Sequence, residues 1–237
     1  MATSPPLAPW SSTLKPPARA VTVSSIEGLS QIRDSRFDLA IWARDLPPWV
    51  YGACADFADR TPGFRTHCEL VAARRSSFDA LLSGVPEGPL RSFLRRDITY
   101  LAACFGALVE RKHVHGTLQV VTGNMCRKLH ADNMPLRLLC TYAGPCTQWV
   151  DWADVRPEHL ARGDISIDQA NDLVLDRDWT KLRHAACGDV LVLKGYDWRG
   201  ERPAAAIPSA AVHRSPEVEE RGLRRLLLKL DVYPCGC

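Results

Sequence analysis

Residues 126–133 read CRKLHADN. On a β-strand alternate side chains point to the same face, so His130 and Asp132 would present an imidazole nitrogen and a carboxylate oxygen side by side. An HxD pair arises easily by chance in a chain with seven histidines, and two ligands do not make a metal site. His213, in AVHRSP (211–216) at the end of a β-like stretch, is the candidate for the third. Two histidines and one carboxylate leave coordination positions open, which suits a non-haem Fe(II) that binds a 2-oxo acid and O₂. A co-substrate such as 2-oxoglutarate also needs a cation for its far carboxylate, and Arg binds one in bidentate fashion and stays charged at any working pH. RRLLLKLD (224–231) supplies Arg224 and Arg225 soon after His213. Strand alternation turns only one of them inward, and Arg225, on the face of Leu227 and Lys229, is preferred.

Around this stretch lie short β-rich runs bounded by Gly, Pro and Asp: GTLQVVTG (116–123), LRLLCTYAG (136–144), DVLVLKG (189–195) and LRRLLLKLDV (223–232). Upstream the rhythm is helical. GPLRSFLRRDITYLAACFGALVERK (88–112) carries Leu90, Phe93, Leu94, Ile98, Leu101, Phe105 and Leu108 on one helical face. SFDALLSG (77–84) ends on a glycine suited to a helix C-terminus. DLAIWARDLPPWVYGACADFADR (38–60) reads as a helix interrupted at Pro47-Pro48. The expected fold is therefore α+β: a double-stranded β-helix (jelly roll, cupin-like) core over 113–237 behind a helical N-terminal region, 23–112. Residues 1–22 read as a disordered Pro-rich leader. Residues 151–187 read as a polar insertion containing the helix-compatible SIDQANDLVL (166–175), and would act as a lid if they covered the pocket mouth.

Composition narrows the function. A net charge of +3 over 237 residues gives no case for nucleic-acid binding. The longest apolar run, LAACFGALV (101–109), falls well short of a membrane helix, and the N-terminus has no export signal. Nine irregularly spaced cysteines argue against a disulfide framework and for a reducing, cytoplasmic location. Cys126, four residues before His130, is a possible zinc ligand or a neighbour of the metal ligands. His113 and His115 form another same-face pair, and Cys235 and Cys237 end the chain as a CGC that can hold a soft metal. Tyr142, Thr147, Trp149 and Trp152 are candidates to line a pocket. Asn133 and Arg137 adjoin the HxD pair and are placed to orient substrate, whereas Arg214 and Ser215, followed by Pro216, serve either the site or a tight turn.

The stretch from about residue 118 to 231 resembles a bacterial family known as domain of unknown function 1826. The resemblance rests on MCRKLHADNMPLRLLCTYAGPCTQW (125–149), GDVLVLKG (188–195), AVHRSP and RLLLKLD (225–231), with DLAIWARDLP (38–47) similar to the family's opening. It implies a metal-related context, since members often lie beside zinc-homeostasis genes. More loosely, the order of His130, Asp132, His213 and Arg225 is similar to that in the 2-oxoglutarate and Fe(II) oxygenase superfamily. One departure is Cys146, where the resemblance leads one to expect Gly; if that position needs a positive φ, Cys146 is strained. Two readings follow, beside a third in which the HxD of a jelly-roll module is incidental. One is an Fe(II)/2-oxoglutarate oxygenase acting on an unidentified small molecule or protein. The other is a zinc-binding or metal-homeostasis protein without turnover, its site closed by Cys126 or the terminal cysteines.

Overall fold

The computed structural model describes residues 18–71, 74–198 and 210–233. The strands are β1 (Ala20–Val23), β2 (Leu39–Trp42), β3 (Arg65–Val71), β4 (His113–Val121), β5 (Leu136–Ala143), β6 (Gln148–Val150), β7 (Arg183–His184), β8 (Val190–Lys194), β9 (Val212–Arg214) and β10 (Arg225–Asp231). The α-helices are α1 (Pro48–Arg60), α2 (Arg75–Leu81), α3 (Pro89–Leu108) and α4 (Ile167–Val174). Seven strands form one large sheet in the order β1-β2-β8-β5-β10-β4-β3, antiparallel except for the β1–β2 pair. A small sheet, β7-β6-β9, is antiparallel throughout.

The central strands β5, β8 and β10 are buried along their whole length. Both faces of these strands are covered, so apolar residues recur on each. One face, with Leu138, Cys140, Tyr142, Val190, Val192, Leu226, Leu228 and Leu230, packs beneath α1, α2 and α3. The other, with Leu139, Leu191, Leu193 and Leu227, meets Trp149 and Ala211 of the small-sheet side. Each leucine so buried contributes about 1.5–3 kcal/mol. A third apolar cluster lies on the far side of the small sheet. There Val150 and Val212 pack with Leu129, Val155, Leu160, Val174 and Leu175.

Several expectations change. The region 23–112 contains the three helices, but β2 and β3 lie within it and β1 reaches into its first residue, so this region builds both edges of the large sheet. LAIW is too short a run for its periodicity to tell strand from helix, and pairing with β8 decides it. Pro48 opens α1 at its first position, where a missing N–H costs nothing, so the prolines start a helix instead of interrupting one. Of the expected leader, residues 20–22 belong to strand β1, and residues 1–17 lie outside the described residues. The 151–187 segment covers the outer face of the small sheet through Val155, Leu160, Val174 and Leu175. Its helix α4 starts with a capping box between Ser166 and Gln169. Cys146 is not among the residues with positive φ; Gly144, at +83°, makes that turn, so no strain falls on the cysteine. Among the described residues no helix is long and apolar enough to cross a membrane.

Candidate metal centre

His130 and His213 sit directly opposite one another in an isolated antiparallel bridge, each backbone N–H donating to the other's carbonyl at 3.1 and 2.9 Å. Directly opposed residues share a face, and the two rings lie 4.6 Å apart, centre to centre. The HxD stretch is therefore no regular strand: only His130 pairs, and the chain then turns away through Asp132. Five hydrogen bonds hold that turn. Asn171 of α4, fully buried, accepts from the Leu129 N–H at 2.7 Å and donates to the Arg127 carbonyl at 3.1 Å. The Tyr196 and Gly195 N–H groups donate to the carbonyls of Asp132 and Pro135. Arg137 donates to Asp132 Oδ1 at 2.8 Å.

One ligand atom from each of His130, Asp132 and His213 falls within 4.8 Å of the others. His130 Nε2 is 3.7 Å from Asp132 Oδ1, and His213 Nε2 is 3.6 Å from Oδ2. Both rings face carbonyl oxygens through Nδ1, Lys128 at 2.8 Å and Ala211 at 3.1 Å. That places a proton on Nδ1 and leaves the Nε2 lone pair facing inward, the usual outer support of a metal-binding imidazole. Asp132 Oδ2 is buried with no hydrogen-bond donor. Two imidazole lone pairs and an orphaned carboxylate oxygen converge on one point, and a divalent cation satisfies all three.

The electrostatics agree. Burial holds the His213 pKa down at about 4, so the ring is neutral at pH 7 and free to offer a lone pair. Burial also opposes ionisation of Asp132, but His213, His130 and Arg137 outweigh it and keep the carboxylate charged. For His130, burial opposes the cation while Asp132 favours it, and the net shift is upward. Behind the ligands a chain of charges runs along the inner face of the large sheet. Arg137 Nε donates to Asp231 at 2.7 Å, and Lys229 Nζ stands 3.6 Å from the same carboxylate.

Arg225 lies on this inner face, 1% exposed. It donates to Ser215 Oγ at 3.0 Å, Thr141 Oγ1 at 3.0 Å and Thr147 Oγ1 at 3.2 Å. Its Nε is buried without an acceptor. Burial depresses its pKa to about 10, with Cys146 and Cys187 acting the other way. The partners are all neutral, which is an unusual setting for a buried cation. Arg224 points outward instead, to Asp59.

The remaining candidates separate by face. Trp149, opposite His213 in the small sheet, faces the interior with its Nε1 unpaired. Tyr142 faces the helices, donating to Asp97 of α3 at 2.6 Å; Arg44 pairs with the same carboxylate at 2.6 and 2.8 Å. Arg214 is on the outer face of the small sheet, bonded to Gln148 and stacked on Trp179. Trp152 packs in the cluster behind that sheet. Cys126 and Asn133 are exposed, and Cys126 is not among the convergent ligands. His113 pairs with Glu69, and His115 stacks on His67 near the sheet edge. Cys235 and Cys237 lie outside the described residues. Sequence reasoning missed Asn171, Thr141 and Asp231. Alternation from Arg225 would have put Asp231 on the inner face, whereas nothing local marks Asn171.

The fold has distant likenesses among solved structures. A prolyl-4-hydroxylase from Pseudomonas putida is 11% identical, with a TM-score of 0.42 over 94% of this chain and 100% of its own. HygX from Streptomyces hygroscopicus is 12% identical, with a TM-score of 0.40 over 86% of this chain and 84% of its own. At that distance the chemistry has to be read from the side chains. No curated protein matches the sequence. A family described as a protein of unknown function, DUF1826, matches residues 24–231, and the chain belongs to it.

Proposed function

We propose that this chain is a non-haem Fe(II)- and 2-oxoglutarate-dependent oxygenase that hydroxylates a substrate still to be identified, and that its two-sheet sandwich is a jelly roll. The observation that carries this reading is Arg225, a buried guanidinium with only hydroxyl partners, on the same interior as a convergent His-Asp-His group. His213 and Ser215 are alternate residues, about 7 Å apart along an extended chain, and Ser215 is bonded to Arg225. A five-carbon 2-oxo diacid has the length to reach from the ligand group to the guanidinium, with its far carboxylate supplying the missing negative charge.

His130, Asp132 and His213 would hold Fe(II), which when bound supplies O₂ activation coupled to oxidative decarboxylation of the 2-oxo acid. The protein does the rest by position. The Lys128 and Ala211 carbonyls fix both imidazole tautomers, and Arg137 occupies Asp132 Oδ1, leaving Oδ2 to the cation. Thr141, Thr147 and Ser215 keep the Arg225 fork in place, and Trp149, Leu139 and Leu227 exclude water between the sheets. A closed zinc site has less support, because exposed Cys126 is not part of the ligand group.

The test is an anaerobic titration of metal-free protein with Fe(II) and then 2-oxoglutarate, followed in the visible spectrum. A charge-transfer band that requires both additions, and is lost in His130→Ala and His213→Ala, is the expected result. Absence of the band together with tight Zn²⁺ binding would overturn the oxygenase reading.

A further inference from the structure

Cys146 follows β5 and Cys187 precedes β8, and their sulfurs lie 3.4 Å apart. Both thiols also lie within hydrogen-bonding reach of the Gly144 carbonyl, at 3.4 and 3.2 Å. The backbone around them is tied: Ala185 N–H donates to the Thr147 carbonyl at 3.1 Å, and Gly188 N–H to the Thr141 carbonyl at 2.9 Å. Both cysteines are partly exposed. No other pair of thiols among the described residues is hydrogen-bonded. Disulfide bonding needs the sulfurs about 2.05 Å apart, a closure of little more than an ångström that side-chain rotation and a small loop movement supply. The segments so joined carry Thr141 and Thr147, both acceptors of Arg225.

We infer that Cys146 and Cys187 form a redox-modification site, a dithiol that hydrogen peroxide converts to a disulfide beside the Arg225 pocket. The Cys187 thiolate attacks one peroxide oxygen, the O–O bond breaks, and hydroxide leaves as water after protonation. Cys187 is now a sulfenic acid. The Cys146 sulfur attacks the Cys187 sulfur, the S–S bond forms, the S–O bond breaks, and a second water leaves with the proton of Cys146. Two thiols lose two electrons in all, and one peroxide becomes two waters. Excess small-molecule thiol reverses the change by exchange. Cys187 is the fitting attacker, because the hydrogen bond from Cys146 holds its thiol down at about 7. The inference is independent of the oxygenase reading, since neither iron nor 2-oxoglutarate enters its chemistry or its test.

The full chain, reduced and then treated with stoichiometric hydrogen peroxide, is blocked with N-ethylmaleimide, digested and mapped by mass spectrometry. The expected product is a peptide pair joined through Cys146 and Cys187, lighter by two hydrogens and restored by dithiothreitol. The oxidised protein should melt roughly 5–10 °C higher than the reduced form. In Cys146→Ser the reaction should stop at a sulfenic acid on Cys187, trapped by dimedone. Wild-type protein in which Cys187 passes to sulfinic acid while Cys146 stays free would overturn the inference. So would a map in which either residue is bridged to Cys126, Cys140 or the terminal cysteines. The wild-type map decides the matter even if a variant fails to fold.

Discussion

Replacing Arg225 by Met separates a residue kept for ligand binding from one kept for the fold. The guanidinium is 1% exposed and its partners are three neutral hydroxyls. Its pKa falls from 12.5 to about 10, which at about 1.4 kcal/mol per tenfold amounts to roughly 3 kcal/mol held against the charged form. Arg225 stays protonated at pH 7, so that penalty is constant across the neutral range. Methionine removes it and fills much of the same volume. Against this, each hydroxyl left without its donor costs about 1 kcal/mol, partly recovered as Thr141, Thr147 and Ser215 rotate toward one another or water. The net lies between about 0 and 3 kcal/mol in favour of the variant, a rise in melting temperature of up to roughly 10 °C for a chain of this size. Without its cation the pocket should lose about 2–5 kcal/mol of affinity for a dicarboxylate, thirtyfold or more. Melting curves with and without Fe(II) and 2-oxoglutarate, recorded anaerobically, read both quantities. Wild type should gain stability from the 2-oxo acid, and Arg225→Met should begin at least as stable and gain almost nothing. A variant several kcal/mol less stable that still responds to 2-oxoglutarate would refute the assignment and make Arg225 a structural cation.

Other perturbations address the supports of the site. A Cβ at Gly195 would collide with the carbonyl oxygens of Met134 and Asp132; Gly195→Ala should therefore cost about 1–3 kcal/mol in urea unfolding and weaken metal binding roughly 10–100-fold by calorimetry, while Gly163→Ala, with open space around it, should change neither. Asp97→Ala leaves Arg44 buried without its partner, so a loss of about 3–5 kcal/mol is expected, with metal affinity unchanged because this cluster lies on the helix side of the sheet. Iodoacetamide labelling of Cys187 should rise with pH through a midpoint of about 7. In Cys146→Ala the midpoint should move upward, because the hydrogen bond that favours the thiolate is gone; an unchanged midpoint would show that Cys146 does not set it.

How much of this was legible in the sequence depends on how local the signal was. The short β-rich runs of β5, β8 and β10, bounded by Gly, Pro and Asp, announced strands, and the spacing of Phe93, Leu94, Ile98, Leu101 and Phe105 announced α3. Strands β1, β2, β6, β7 and β9 are two to four residues long. β3, RTHCELV, is largely polar. Such segments become strands through their partners and carry little pattern of their own. The three residues that converge were singled out by type and spacing, but the reason they converge was not legible. His130 is placed by one bridge to His213, and Asp132 by nearby Arg137 together with the Gly195 turn; the bridge and that turn lie outside any window around residue 130.

The misplacement of Tyr142 is a question of phase. Alternation gives Thr141 to one face of β5 and Tyr142 to the other, and a slip of one residue exchanges every assignment. Within β5 alone, an aromatic hydroxyl looks as suited to a pocket as a threonine. The phase comes from β10, where Arg225, Leu227, Lys229 and Asp231 share a face. Leu227 lies opposite Thr141, Lys229 opposite Leu139 and Asp231 opposite Arg137. Directly opposed residues share a face, so Arg137, Leu139 and Thr141 turn inward with them. Tyr142 is left to Asp97. Polar residues that interrupt an otherwise apolar strand, such as Arg137, Thr141, Arg225, Lys229 and Asp231, are costly to bury unless something there needs them. In this sheet these five fall on the face that looks toward the His-Asp-His group, and Arg225 is held there by hydroxyls, a setting that suits an arriving anion.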